Sequence, residues 1–446
     1  MLVNKNERFS VNQFPIIHKM FHYIYLLPKR KKMQNWKIKI SLFLNYFVFA
    51  ILLNSVGTVI LMVQSNYGIS KASASTLEAF KDLSIAIVSF FIASYINRIG
   101  YKKAMLIALA FVGCVALLMP VFPGFMMTKL LFAATGASFA MIKVSVFATI
   151  GIITKDKKEH ASFMNFIESF FMVGILTGYF IFSAFVDDKN PQSTSWLKVY
   201  NLLAIIVGIA FLLLWSSSLD ESSIKRSDEV PLSNDFKEMF TLIALPVVIV
   251  FVASAFIYVL IEQSIMSWLP TYNSDVLHLP PTLSIQMASI LAGATAIGRF
   301  VAGIVLRKIN WLGVLIGCLL LAACLVLAAL PLANNAGTAV VTNWGNAPVA
   351  TFIFPLIGLL IAPVYPAINS VILSSLPKNK HGYMSGLIVI FSALGGTTGS
   401  IIMGNIFQAY GGQTGFYFSL VPISLLIILL IVFYRIQKKV SLVDSN

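Results

Sequence analysis

Twelve long apolar runs dominate this chain, and they restrict its fold more than any motif does. They lie near 38–64, 75–97, 102–121, 124–152, 160–185, 196–215, 240–269, 284–306, 311–332, 347–375, 383–408 and 414–435. Each is long enough to cross a hydrocarbon layer of about 30 Å at a rise of about 1.5 Å per residue. A chain crossing lipid must satisfy its backbone hydrogen bonds internally, and for runs of this length that means helices. The expected fold is an all-α integral membrane protein, with twelve transmembrane helices in two six-helix bundles. The one long hydrophilic connection, 216–239, carries Asp220, Glu221, Lys225, Arg226, Asp228 and Glu229 and divides the runs six and six. The domain reading is a cytoplasmic tail over 1–37, a bundle over 38–215, a cytoplasmic linker over 216–239, a second bundle over 240–435 and a tail over 436–446.

Charge supports this reading and sets its orientation. Only 11% of residues are charged, where a soluble domain carries about 25%. The net charge of +15 would suit nucleic acid if it lay on one polar face. It lies instead in every second loop: Arg98/Lys102/Lys103, Lys155/Lys157/Lys158, Lys225/Arg226, Arg307/Lys308, Lys378/Lys380 and the tail Arg435/Lys438/Lys439. The intervening loops are poor in Lys and Arg, and those of the second half, 270–283, 333–346 and 409–413, hold none. By the positive-inside rule both termini are expected to be cytoplasmic, and the expected location is a cell inner membrane. Trp36, Trp196, Trp215, Trp268, Trp311 and Trp344 all fall at expected span ends, where an aromatic belt meets the headgroups. The partner is a lipid bilayer, no nucleic acid is implied, and the expected state is a monomer. Residues 1–35 show no cleavable signal, and Met33 is an alternative start after the basic run Lys29–Lys32. Cys114, Cys318 and Cys324 sit inside apolar runs, as small buried residues do.

An ionisable side chain inside a span costs about 2.5–3.5 kcal/mol on insertion scales, so each one is a candidate for function. They are Glu78, Lys81 and Asp82 in the second span, Lys143 in the fourth, Glu168 in the fifth, Glu262 in the seventh and Arg299 in the eighth. Lys143 lies twelve residues before Lys155 and Glu168 thirteen after it. Both therefore reach about 18–20 Å from that shared turn, and the two are expected to meet as an ion pair. Such a pair would serve substrate or proton, or would simply hold two helices together. Glu78, Lys81 and Asp82 are spaced i, i+3, i+4 and share one helix face toward the outer end. They could form a proton relay, an outer gate or a locally neutralised interfacial cluster. Arg299 reads as gating or structural rather than cargo-binding. Asn54, Tyr365 and Asn369 are further cavity candidates, suited to hydroxyl-rich ligands, though the same residue types glue helices together. No Walker loop is present and the five His are scattered, so neither a cofactor nor a metal is expected and the chain is not read as an enzyme.

The loop Ala93–Lys103, Ala-Ser-Tyr-Ile-Asn-Arg-Ile-Gly-Tyr-Lys-Lys, resembles the signature loop between the second and third helices of the major facilitator superfamily, Gly-x-Leu-Ala-Asp-Arg-x-Gly-Arg-Lys. Arg98, Gly100 and Lys102 match its core; Ala93, Asn97 and Tyr101 replace Gly, Asp and Arg. Lys103 continues the basic run. Arg307-Lys308 after the eighth span repeats the position of this loop, and Gly-rich spans five and eleven correspond. The resemblance covers about 36–436 and implies two pseudosymmetric halves with a substrate site between them near midplane. The stretch 261–269, Ile-Glu-Gln-Ser-Ile-Met-Ser-Trp-Leu, is similar to an element of the fucose/glucose–galactose–proton symporter branch, carried by Glu262, Ser264, Ile265, Ser267, Trp268 and Leu269. Span eleven over 385–396 is similar to the same branch. That branch places an acidic residue in its first span, where this chain offers only Asn45 and Asn54. Any proton-coupling carboxylate must come from Glu78, Asp82, Glu168 or Glu262.

These readings converge on a secondary active transporter working by alternating access. The expected cavity is lined by spans one, four, seven and ten. The leading cargo is a monosaccharide or similar small polar solute moved with H+. The alternatives are an organic anion held by Lys143, or drug export.

Overall fold

The computed structural model describes residues 29–154, 157–190, 192–219, 221, 241–333, 341–376 and 380–443. The expectations placed on 1–28, on most of the 216–239 linker, on Lys155 and on Lys378 lie outside the described residues, as do the side chains of Lys157, Lys158, Asn97 and Arg98. Everything described is helix or short connection. Among the described residues, eleven helices are long and apolar enough to cross a membrane. The remaining expected crossing is Thr76–Ile99, 24 residues, which at about 1.5 Å per residue also spans the hydrocarbon.

We label the crossings spans 1 to 12. Span 1 is Lys29–Asn54 continued by Val56–Tyr67, and span 2 is Thr76–Ile99. Spans 3 to 6 are Tyr101–Leu118, Phe125–Ile153, Lys157–Ser183 and Val199–Trp215. Spans 7 to 9 are Pro246–Asp275, Pro281–Val305 and Trp311–Ala333. Span 10 runs in pieces from Val349 to Ser374, span 11 is His381–Tyr410, and span 12 is Gly412–Phe418 with Leu420–Val443. An even number of crossings puts both chain ends on one side, here termed the terminal face; the opposite side is the distal face.

Packing reveals the internal repeat. In the first half, spans 2 and 4, 1 and 5, 3 and 6, and 1 and 6 pack together. In the second half the pairs are 8 and 10, 7 and 11, 9 and 12, and 7 and 12, the same set displaced by six. The contacts between halves obey the same rule: span 2 packs on span 11, span 8 on span 5, and span 1 on span 7. Glycines make the repeated crossings close. A Cβ on Gly174 of span 5 would sit 2.8 Å from the Phe47 carbonyl of span 1, and the equivalent Gly399 of span 11 lies against the Leu260 carbonyl of span 7. Where lipid gives apolar side chains no reason to leave it, backbone approach of this kind supplies the packing energy.

Span 10 departs from the continuous helix expected over 347–375. It breaks into Val349–Ile353, a 3-10 turn Phe354–Leu356, Ile357–Ile361 and Val364–Ser374. Pro355 and Pro363 explain the breaks, since each lacks the N–H that an unbroken helix would use there.

Candidate functional site

A cavity of about 130 Å³ lies between the halves. Its polar wall is Asn54 of span 1, Glu262 and Gln263 of span 7, and Thr295 and Arg299 of span 8. Its apolar wall is Phe171, Met172 and Ile175 of span 5, with Met266 and Ala292. Spans 1, 5, 7 and 8 therefore enclose it, a lining different from the spans 1, 4, 7 and 10 expected around the substrate. The reason is the packing of span 5 on span 8, which carries both helices to the seam.

One oxygen organises the polar wall. Glu262 Oε1 accepts a hydrogen bond from Tyr258 Oη at 2.8 Å and from Arg299 Nη2 at 3.3 Å. Tyr258 stacks on Tyr365 with centroids 5.5 Å apart, and Tyr365 Oη bonds Ser392 Oγ at 2.9 Å. Asn369, one helical turn after Tyr365, leaves its Oδ1 buried and unpartnered, and Arg299 leaves its Nε so. Tyr365 and Asn369 thus stand behind the cavity wall through Tyr258. Arg299 stands in the cavity wall itself. Asn54 turns its amide N–H onto the Ala50 carbonyl of its own helix at 2.8 Å, which leaves its side-chain oxygen for the cavity.

Lys143 and Glu168 do not form the expected ion pair. Both are exposed, and Lys143 Nζ lies 6.0 Å from the Phe139 ring. Glu168 feels the charges of Lys143 and of Arg299 at longer range. Their equal distances from the shared turn give the two residues similar heights but do not fix their direction around the helix. Span 4 packs mainly on spans 2 and 3, and span 5 on spans 1 and 8, so the two sequential helices diverge. An aromatic cluster borders this region: Tyr46 meets Phe139, Phe147 and Phe171 at 5.7–6.4 Å, and its hydroxyl is buried without a partner. Sequence reading missed Phe171, Gln263 and the Tyr46 cluster. Their residue types are common in every span, and only the helix pairing selects them.

The cluster on span 2 is more buried than an interfacial one. Glu78, Lys81 and Asp82 are 0%, 6% and 8% exposed. Lys81 Nζ bonds Glu78 Oε1 closely and lies 3.4 Å from Asp82 Oδ1. The other Glu78 oxygen accepts from Ser267 Oγ of span 7 at 2.8 Å, which ties one half to the other. Asp82 Oδ2 lies against Gly396 of span 11, where an added Cβ would sit 2.3 Å from that oxygen and would have to displace it.

In the signature loop, Gly100 adopts φ 88°, the left-handed region that favours glycine, and a Cβ there would also strike the Glu221 carboxylate. The Lys102 ammonium donates to the Trp215 carbonyl at 3.1 Å and to the Ser217 carbonyl. These carbonyls end span 6, where the helix dipole welcomes a cation. The Lys102 backbone N–H, in the first turn of span 3, donates to Glu221 Oε1 at 2.7 Å. Lys103 is exposed beside it.

Twelve crossings, a six-helix repeat and a polar cavity on the seam define a multi-pass membrane protein of transporter architecture. The family profile of the Major Facilitator Superfamily matches residues 42–399, and the chain belongs to that family. A search of curated proteins by sequence finds no match. Among solved structures, the nucleoside transporter NupG (D323A mutant) aligns at 13% identity over 90% of this chain and 99% of its own, with a TM-score of 0.70. A bacterial homologue of the human lysosomal transporter Spinster, inward-facing and occupied, aligns at 13% over 92% and 97%, TM-score 0.67. FucP, a Major Facilitator Superfamily transporter in the outward conformation, aligns at 16% over 93% and 99%, TM-score 0.58. At these identities the likeness concerns the fold.

Proposed function

We propose that this chain is a proton-coupled secondary transporter of a small neutral polar solute, a monosaccharide or a molecule like it. The carrying observation is the Glu262–Arg299 pair at 3.3 Å. It cancels the two formal charges in the cavity wall and leaves hydrogen-bonding groups opposite an apolar face formed by Phe171, Met172 and Ile175. A sugar presents hydroxyls at its edge and C–H bonds on its face, which suits those two walls. Alternating access follows from where the halves touch. Among the described residues, the hydrogen bonds and ion pairs between them lie toward the distal face: Gln64–Thr271, Ala72–Gln408, Glu78–Ser267, Ser75–Ser400, Ser183–Gln286, Asp188–Thr282 and Lys71–Asp275. With the terminal face cytoplasmic, as loop charge implies, this is an inward-open state. The higher TM-score against the inward-facing Spinster homologue than against outward FucP supports that reading. Glu168 is the proton-coupling carboxylate, being exposed and within reach of the Arg299 charge; Glu78 and Asp82 change surroundings when the distal seam opens.

One observation favours a second reading. Lys143 has no carboxylate within salt-bridge distance among the described residues, so it is free to receive an organic anion. The test is uptake into proteoliposomes, with neutral sugars beside organic anions and internal pH recorded, for wild type, Glu168→Gln and Lys143→Ala. Sugar uptake with acidification of the vesicle interior, kept in Lys143→Ala and lost in Glu168→Gln, is expected. Anion uptake abolished by Lys143→Ala replaces the sugar reading with the second one. Uptake without a pH change removes proton coupling.

A further inference from the structure

A second cavity, larger than the central one, opens between spans 2 and 11 on the terminal side of their contact. It measures about 540 Å³, well within the range of about 300–1,000 Å³ over which proteins enclose small ligands. Every lining residue is apolar. Span 2 contributes the stripe Leu83, Ile87 and Phe91, and span 11 contributes Leu387, Ile390 and Leu394, both at helical spacing.

Depth identifies what can fill it. Phe91 lies eight residues before the end of span 2 and Leu83 sixteen, or about 12 and 24 Å from the terminal face at 1.5 Å per residue. Leu387 and Leu394 lie six and thirteen residues into span 11, about 9 and 20 Å deep. The cleft therefore runs the depth of one leaflet of a hydrocarbon core about 30 Å thick. Its walls belong to different halves, and the medium outside spans 2 and 11 at this depth is lipid. Water gains nothing there, because an apolar cavity without hydrogen-bonding groups stays dry. Asp82 against Gly396 closes the deep end.

We infer that the cleft between spans 2 and 11 binds one acyl chain of a phospholipid from the terminal-face leaflet. The chain enters sideways from the bilayer and lies along the two apolar stripes. It fills a space that would otherwise cost the lining its dispersion contacts. When the terminal sides of the halves approach, spans 2 and 11 close on this space and the chain must leave. Acyl occupancy thus favours the terminal-open state, whatever the cargo in the central cavity.

The experiment uses the full chain in phosphatidylcholine nanodiscs doped with a phosphatidylcholine carrying a diazirine midway along one acyl chain. After photolysis the labelled peptides are mapped by mass spectrometry. Label concentrated on 83–91 and 387–394, several-fold above other lipid-facing stretches, is expected. Ile87→Trp and Leu394→Trp each place a bulky ring in the cleft and should lower that labelling several-fold, while Phe300→Trp on span 8 leaves it unchanged. Even labelling of all exposed span surfaces overturns the proposal. So does cleft labelling that survives both fillings in folded protein. The readout needs no transport, so its failure is separate from failure of the sugar reading.

Discussion

At the scale of single residues, Lys81 is a cation buried between carboxylates. It faces two carboxylates, Glu78 and Asp82, in a site that is 0–8% exposed. Removing one partner from a buried charged group leaves the others uncompensated, and the cost is about 3–5 kcal/mol. Lys81→Met should lower the thermal unfolding temperature of the detergent-solubilised protein sharply. Lys81→Met combined with Glu78→Gln and Asp82→Asn should recover most of the loss, because the charges are then gone together. An unchanged melting temperature in the single variant would mean that water reaches the cluster. Arg299 stands at the other extreme. Its side chain is 37% exposed, so Arg299→Ala should alter uptake far more than stability, a split readable from transport and melting on one preparation. Arg299→Lys keeps the charge but not the planar fork, and should restore uptake only in part.

At the scale of helices, close approach decides. A methyl added at Gly399 meets the backbone of Leu260, and one at Gly136 meets the backbone of Lys81. Overpacking of this sort costs about 1–3 kcal/mol. Gly303 and Gly317 also lie inside helices, yet nothing stands within 4 Å of a Cβ there. Gly399→Ala should therefore lower the melting temperature, while Gly303→Ala and Gly317→Ala should leave it level or raise it, since alanine is the better helix former by about 1 kcal/mol. The same distinction explains what could be read in the chain beforehand. Number of crossings and division into halves were legible, because lipid allows a long apolar run no alternative to helix. Glu262 and Arg299 were legible as residues worth watching, because charge inside a span is rare. Their bond to each other was not, and neither was the separation of Lys143 from Glu168. Both depend on which face of each helix meets which neighbour, and that is set by glycines whose contacts lie on other spans. The breaks in span 10 were within reach, since Pro355 and Pro363 stand in the sequence.

At the scale of the whole molecule, the two halves are held at the distal face by contacts of unequal strength, and the inequality predicts what opens it. Lys71–Asp275 is short at 2.5 Å, but its side chains are 29% and 35% exposed. Exposed pairs of this type contribute about 0–1 kcal/mol. The Gly404 crossing is different: a Cβ there would lie 2.6 Å from Ser75 Cβ and 2.9 Å from the Lys71 carbonyl, both across the seam, and 2.7 Å from the Trp268 ring. A larger side chain at 404 is penalised while the distal face is shut and relieved of the Ser75 and Lys71 clashes once it opens. About 1.4 kcal/mol of that difference shifts the ratio of states tenfold, and overpacking supplies about 1–3 kcal/mol. Gly404→Val should thus move the population toward a distal-open state by roughly tenfold, whereas Lys71→Ala should move it by little. Spin labels at Lys189 and His278, exposed on opposite halves near the Asp188–Thr282 hydrogen bond, report the distance between them. A longer-distance component that grows in Gly404→Val and stays minor in Lys71→Ala would show that helix contact, not surface charge, shuts the distal face. The reverse order would make the ion pair the latch, and the distance distribution of the wild type, but not of Lys71→Ala, would then shift with rising salt as screening weakens the pair.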